Sequence, residues 1–170
     1  MGRLCLAQDT EGVTGVTITV TTADRHHVEY VANNLREADR REACRVTDSD
    51  DAIRAVVESA DNSWFTLVGL ESGTTPVAVA GVAPSGSVGL GIPWLVGTDR
   101  ITEKPIQFLR QAKSVLALMF DKAEVDVFWN VVDAENDVHQ QWLKWVGASF
   151  APNPISLNGY DFFEFTIRRD

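Results

Sequence analysis

The chain has 170 residues, 45% of them apolar, which suits one domain with a sizeable core. A formal net charge of −9 sets it against the polyanionic surfaces of nucleic acid and anionic membrane and argues against non-specific binding to either. No apolar run approaches the ~20 residues of a membrane-spanning helix. Two cysteines, Cys5 and Cys44, have no metal-ligand spacing and make no disulfide framework, so they read as free thiols in a reducing compartment. No signal-peptide pattern opens the chain, and it is expected to act inside a cell.

Residues 1–15 carry little pattern and read as a loose arm, with one domain over 16–170. Val16 to Val20 alternates β-branched residues and predicts a strand with Val16, Ile18 and Val20 on one face. Thr21 or Thr22 is the expected cap of the next helix, in which Val28, Val31 and Leu35 recur at helical spacing. Near its end Arg36, Arg40, Arg41 and Arg45 interleave with Glu37, Asp39 and Glu42, the pattern of a solvated mixed-charge face. A second helix is expected from Asp48 or Ser49 to about Ala60, with Ile53, Val56 and Val57 inward. Three strands follow: Trp64 to Leu70, a turn through Glu71 to Thr75, Pro76 to Val82, a second turn at Pro84 to Ser87, and Val88 to Val96. Gly89, Gly91 and Pro93 interrupt the third, the mark of a bulge or a splayed edge. A long helix is expected over Glu103 to Ala123, with Pro105 in its first turn, where a missing N–H is harmless. Val125 to Val132 reads as a central strand and Glu135 to Val146 as the last helix, closed by Gly147. A short strand at Ser149-Phe150, a turn at Asn158-Gly159 and a closing strand over Tyr160 to Arg168 complete the chain.

The resulting order, β-α-α-β-β-β-α-β-α-β-β, is that of a mixed α/β domain with a mostly antiparallel sheet flanked by helices. It resembles the GNAT (GCN5-related N-acyltransferase) fold. Three segments are also similar to the small internal virion proteins (internal virion protein A) of T7-type phages. They are Trp94-Leu95-Val96-Gly97-Thr98-Asp99-Arg100-Ile101; Phe128-Trp129-Asn130-Val131-Val132 with Trp142 to Phe150; and Phe162 to Ile167. The resemblance implies a GNAT-like protein tied to a phage particle or its assembly, placed in the host cytoplasm or the virion, with other virion proteins or a host protein as partners.

The GNAT resemblance implies an acetyl-CoA site where two central strands part, with a glycine-rich turn offering backbone N–H groups to the pyrophosphate. The corresponding residues here are Trp94, Val96, Gly97, Thr98, Arg100 and Thr102, with Trp94 lining an acyl or pantetheine channel and Arg100 or Lys104 supplying charge. Only Gly97 is a glycine, and Asp99, Glu103 and Pro105 depart from the family pattern, which implies a degenerate cradle. In many family members the last helix carries Asn, Tyr and Gly in fixed spacing, the Tyr protonating the leaving thiolate. Asn136 and Gly147 match, but Leu143 stands where the Tyr belongs. His139, one turn earlier, is the substitute acid, and Glu71 the candidate base. An acidic surface engaging a basic host factor is an alternative function. Trp145, three residues from Trp142, marks a candidate contact surface. His26-His27 lacks companions with metal-ligand spacing.

Overall fold

A computed structural model describes residues 17–103 and 105–169. The arm expected at 1–15, Val16, Cys5 and Lys104 lie outside them. The first strand, β1, is Ile18–Thr22, so Thr21 and Thr22 end a strand instead of capping a helix. Asp24 caps α1 (Arg25–Asn33): its carboxylate accepts from the His27 N–H at 3.0 Å, and His27 Nδ1 accepts from the Asp24 N–H at 3.2 Å. Two further helices follow where one was expected. The chain straightens through Leu35 and Arg36, then forms α2 (Glu37–Thr47), which ends on left-handed Asp48. Asp51 caps α3 (Ala52–Asp61), accepting from the Arg54 N–H at 2.9 Å.

The meander is β2 (Phe65–Glu71), β3 (Thr75–Pro84) and β4 (Leu90–Gly97). Glu71, expected in a turn, is the last residue of β2 and is buried. A single turn, α4 (Arg100–Glu103), precedes α5 (Pro105–Ala123), which Pro105 opens as expected. Then come β5 (Val127–Asp133), α6 (Asp137–Trp145), β6 (Ser149–Phe150), β7 (Ile155–Leu157) and β8 (Tyr160–Arg168). Asn158 and Gly159 both have positive φ, as a tight hairpin between β7 and β8 requires.

These strands form an eight-stranded sheet in the order β1-β2-β3-β4-β5-β8-β6, with β7 also on β8. Every pairing is antiparallel except that of β4 with β5. Val28 and Val31 of α1 and Val56 of α3 pack with Val68 and Val79 of the sheet. A second core joins Met119 and Phe120 of α5 to Phe128, Leu143, Phe165 and Ile167, and the Phe120 and Phe128 rings stack at 3.9 Å.

The parallel pair decides the architecture. β4 and β5 are in register only at Leu90 with Val127 and Gly91 with Phe128. Pro93 has no N–H, so the next rung cannot form on its side. Instead the Asn130 side chain crosses the gap, donating through Nδ2 to the Pro93 carbonyl at 2.7 Å while its Oδ1 accepts from the Val131 N–H at 2.8 Å. Of the bulge or splayed edge expected from Gly89, Gly91 and Pro93, the structure shows the splay.

Trp94 lies across β3, where Gly81 makes room for it, and donates through its indole N–H to Ser63 Oγ at 2.8 Å. A Cβ on Gly81 would meet three atoms of that indole at 2.8 Å. Gly81→Ala is expected to destabilise the protein by about 1–3 kcal/mol, read as a lower urea midpoint.

Candidate active site

The mouth of the splay is spanned by α2. Gly97, the last residue of β4, turns its N–H and C=O outward. The N–H donates to Asp39 Oδ2 at 2.9 Å, and the C=O accepts from the Arg36 N–H at 2.9 Å. The Arg36 guanidinium pairs with Asp39, and both residues are buried. One turn on, Glu42 Oε2 accepts from Asn136 Nδ2 at 2.5 Å and contacts His139 Nδ1 at 3.3 Å. Asn136, 1% exposed, also caps α6 by accepting from the His139 N–H at 3.3 Å. Further along, Arg45 grips the buried Asp133 carboxylate at 2.9 and 3.1 Å. Thus α2 ties the end of β4 to the end of β5 and the start of α6.

This corrects the reading of α2 as a solvated face. Arg36 at the N-cap and Asp39, Glu42 and Ala43 within the helix follow helical spacing and form the inner face, written largely in charged residues. That spacing was the available signal for Asp39 and Glu42. Burying such charges is tolerable because they are paired, Arg36 with Asp39 and Glu42 with His139, although the Arg36 Nε–H is buried without a partner among the described residues.

Two cavities meet behind this helix. The outer one, about 440 Å³, opens between the start of α5 and α6 and is bordered by Thr102, Phe108, His139, Trp142 and Trp145. The inner one, about 180 Å³, passes into the splay past Pro93, Trp94, Val96 and Asn130. Asp39, Leu95, Phe108, His139 and Trp142 border both. His139 is mostly buried. Burial alone would push its pKa down, but the Glu42 carboxylate, by charge and hydrogen bond, and the Asp39 charge outweigh that and raise it. The Trp142 indole N–H is buried without a partner among the described residues.

Of the residues singled out in the sequence, Trp94, Val96, Thr102 and His139 border these cavities, and Asn136 holds Glu42 beside them. Gly97 anchors α2. Thr98 is buried and donates its N–H to the Val77 carbonyl at 2.9 Å. Arg100 pairs with Glu71, and neither borders either cavity. Leu143, in the place of the Tyr, borders the inner cavity. Trp145 is 54% exposed at the rim of the outer cavity, with Lys113 Nζ 5.4 Å from its ring centroid.

A meander, a parallel β4–β5 pair that parts after two rungs, and a helix crossover between them define the GNAT acetyltransferase fold. No family model matches the sequence, and no curated protein matches it. Among solved structures, 222 chains match. The spermidine N-acetyltransferase from Vibrio cholerae, in complex with CoA and spermine, matches at TM-score 0.63 and 13% identity over 89% of this chain and 95% of its own. A GNAT-family acetyltransferase from Bacillus anthracis matches at TM-score 0.64 and 11% identity, over 89% and 95%. The ribosomal-protein-S5-alanine acetyltransferase from Vibrio fischeri matches at 0.60 and 12%, over 93% and 96%. At these identities the likeness is one of fold. Among the described residues no helix is long and apolar enough to cross a membrane.

Two outcomes test the site. Asp39→Ala strips the partner from a buried guanidinium and from the Gly97 N–H, and is expected to cost about 3–5 kcal/mol in urea denaturation. His139 has a folded pKa above its ordinary 6.5. Its protonation therefore adds stability that is fully present below the unfolded value and is lost as pH rises through the folded one. Melting temperature should fall over that window in the native chain, and His139→Gln should flatten the fall.

Proposed function

We propose that the chain is an N-acyltransferase that takes an activated acyl group from a pantetheine thioester, acetyl-CoA or a longer acyl-CoA, and transfers it to an amine. The observation carrying this reading is the meeting of two cavities at the splay with the His139–Glu42 pair at their junction.

A bound acyl-CoA would supply the thioester carbon and a thiol leaving group. The β4 edge suits its amide-bearing arm. Pro93 and Gly97 turn their backbone polar groups toward the splay, and strand alternation turns Leu95 the same way, beyond the last rung on β5. The unpaired Trp142 N–H is a donor of the kind a bound carbonyl oxygen satisfies, and leaving it buried alone costs about 1–3 kcal/mol. Glu42 holds Nδ1 of His139, and the residue borders both cavities. The Glu42 carboxylate raises the proton affinity of the imidazole, and protonated His139 delivers its proton to the departing sulfur, the task of the Tyr that Leu143 replaces, while the proton lost by the attacking amine restores the imidazolium.

The pyrophosphate does not fit the turn after β4 in the same way. The N–H groups of Thr98, Ile101, Thr102 and Glu103 donate to Val77, Thr98 and Asp99 carbonyls, and Arg100 is taken by Glu71. Asp99 and Glu103 add negative charge there. The arm and the acyl group therefore carry the binding.

That turn also favours a second reading: a virion-associated or assembly protein on a GNAT frame that has lost catalysis, meeting its partner through Trp145 and the neighbouring exposed Val138. Its phage element rests on the three resembling segments. Calorimetry with CoA and acetyl-CoA, joined to a transfer assay over polyamines and peptide amines, separates the two. On the first reading acetyl-CoA binds, and His139→Ala lowers kcat by about 10²–10⁴-fold with little change in binding. Absence of both binding and transfer favours the second.

A further inference from the structure

Resting on the acyltransferase reading, we infer that the acyl group this site takes is longer than acetyl, a chain of about six carbons whose tail fills the inner cavity. The outer and inner cavities share Asp39, Leu95, Phe108, His139 and Trp142, so an acyl group whose thioester lies at His139 can extend into the inner one. Beyond that junction the walls on the α5 side include Leu67, Ala80, Ala112, Leu116, Met119 and Phe165, with Gln111 the polar residue among them, its amide given to the Ile18 carbonyl. Ala80 on β3 and Ala112 on α5 are buried and present only methyl groups, with Leu67 and Leu116 nearby. A larger residue at either alanine would close the space.

The volume decides the length. A void in a core destabilises it in proportion to its size, whereas an apolar cavity of about 150 Å³ stays dry and accepts a molecule the size of benzene. The inner cavity, about 180 Å³ over its α5 side and its α2–α3 side together, falls in that range. An acetyl group has two carbons and would leave most of it empty. The charges that border the inner cavity from α2, Asp39 and Glu42, are held by Arg36 and by Asn136 and His139, which leaves the α5 side to the hydrocarbon tail.

The test is calorimetric titration of the full chain with a straight-chain series from acetyl-CoA to decanoyl-CoA. Affinity is expected to climb about fourfold per added methylene, peak near hexanoyl and then level or fall. Ala112→Phe is expected to abolish the climb, bringing hexanoyl-CoA to the affinity of acetyl-CoA. Ala80→Val, a smaller change, should shorten the preferred chain should Ala112→Phe fail to fold. Equal affinity for acetyl-CoA and hexanoyl-CoA overturns the inference while leaving the acyltransferase reading in place. So does an alkylamine acceptor that competes with the longer acyl chains alone, since that puts the acceptor in the inner cavity. Failure of CoA and the whole series to bind overturns both.

Discussion

When the middle of a sheet parts, the backbone groups it frees need partners, and the rest of this structure answers to that requirement. β4 leaves β5 after Gly91, and the outward-facing groups of Pro93 and Gly97 beyond it find different solutions. The Pro93 carbonyl is met by the Asn130 amide, and both groups of Gly97 are met by α2 through Arg36 and Asp39. Leu95, between them, is the stretch left facing the cavities. A binding edge arises here because two neighbours are satisfied by side chains and backbone from elsewhere, while Leu95 between them borders both cavities.

The charged inner face of α2 follows from the same demand. An apolar helix could cover the gap but could not accept from the Gly97 N–H. Asp39 can, and once buried it needs Arg36, while Glu42 gains Asn136 and His139 as partners. The network thus makes a structural clamp and raises the proton affinity of the one imidazole at the junction of the cavities. Buried ion pairs contribute little net stability against an apolar alternative, but removing one partner is costly. Their value here lies in holding a specific geometry.

Much of the frame was legible in the residues. Apolar periodicity in Val28, Val31 and Val56, the glycines and proline of β4, Pro105 and Asn158-Gly159 all act through local stereochemistry, and local chemistry can be read along a chain. The split of the first helix into two, and its Asp24 cap in place of a threonine, escaped a reading that weighed only spacing. The clamp was not legible for another reason: Asp39 meets Gly97 across 58 residues and Glu42 meets His139 across 97. Glu71 read as a turn residue because its partner, Arg100, lies a whole hairpin and strand away. His139 could be picked out as a candidate acid from its place on α6, but the carboxylate beside it could not. The cavities come from three layers meeting at a gap, which no single segment encodes.

Because α2 grips β4 at one end of its inner face and α6 at the next turn, the floor and the roof of the cleft are one mechanical body. Asp39 touches both Gly97 and Asn136, so the strand end and the α6 cap share a single carboxylate. Energies at these positions cannot be independent: losing the cap at Asn136 weakens a carboxylate that the strand also needs, and the two losses together count for less than their sum. The cleft therefore resists piecemeal loosening and yields as a unit, a behaviour suited to a pocket shaped before its ligand arrives.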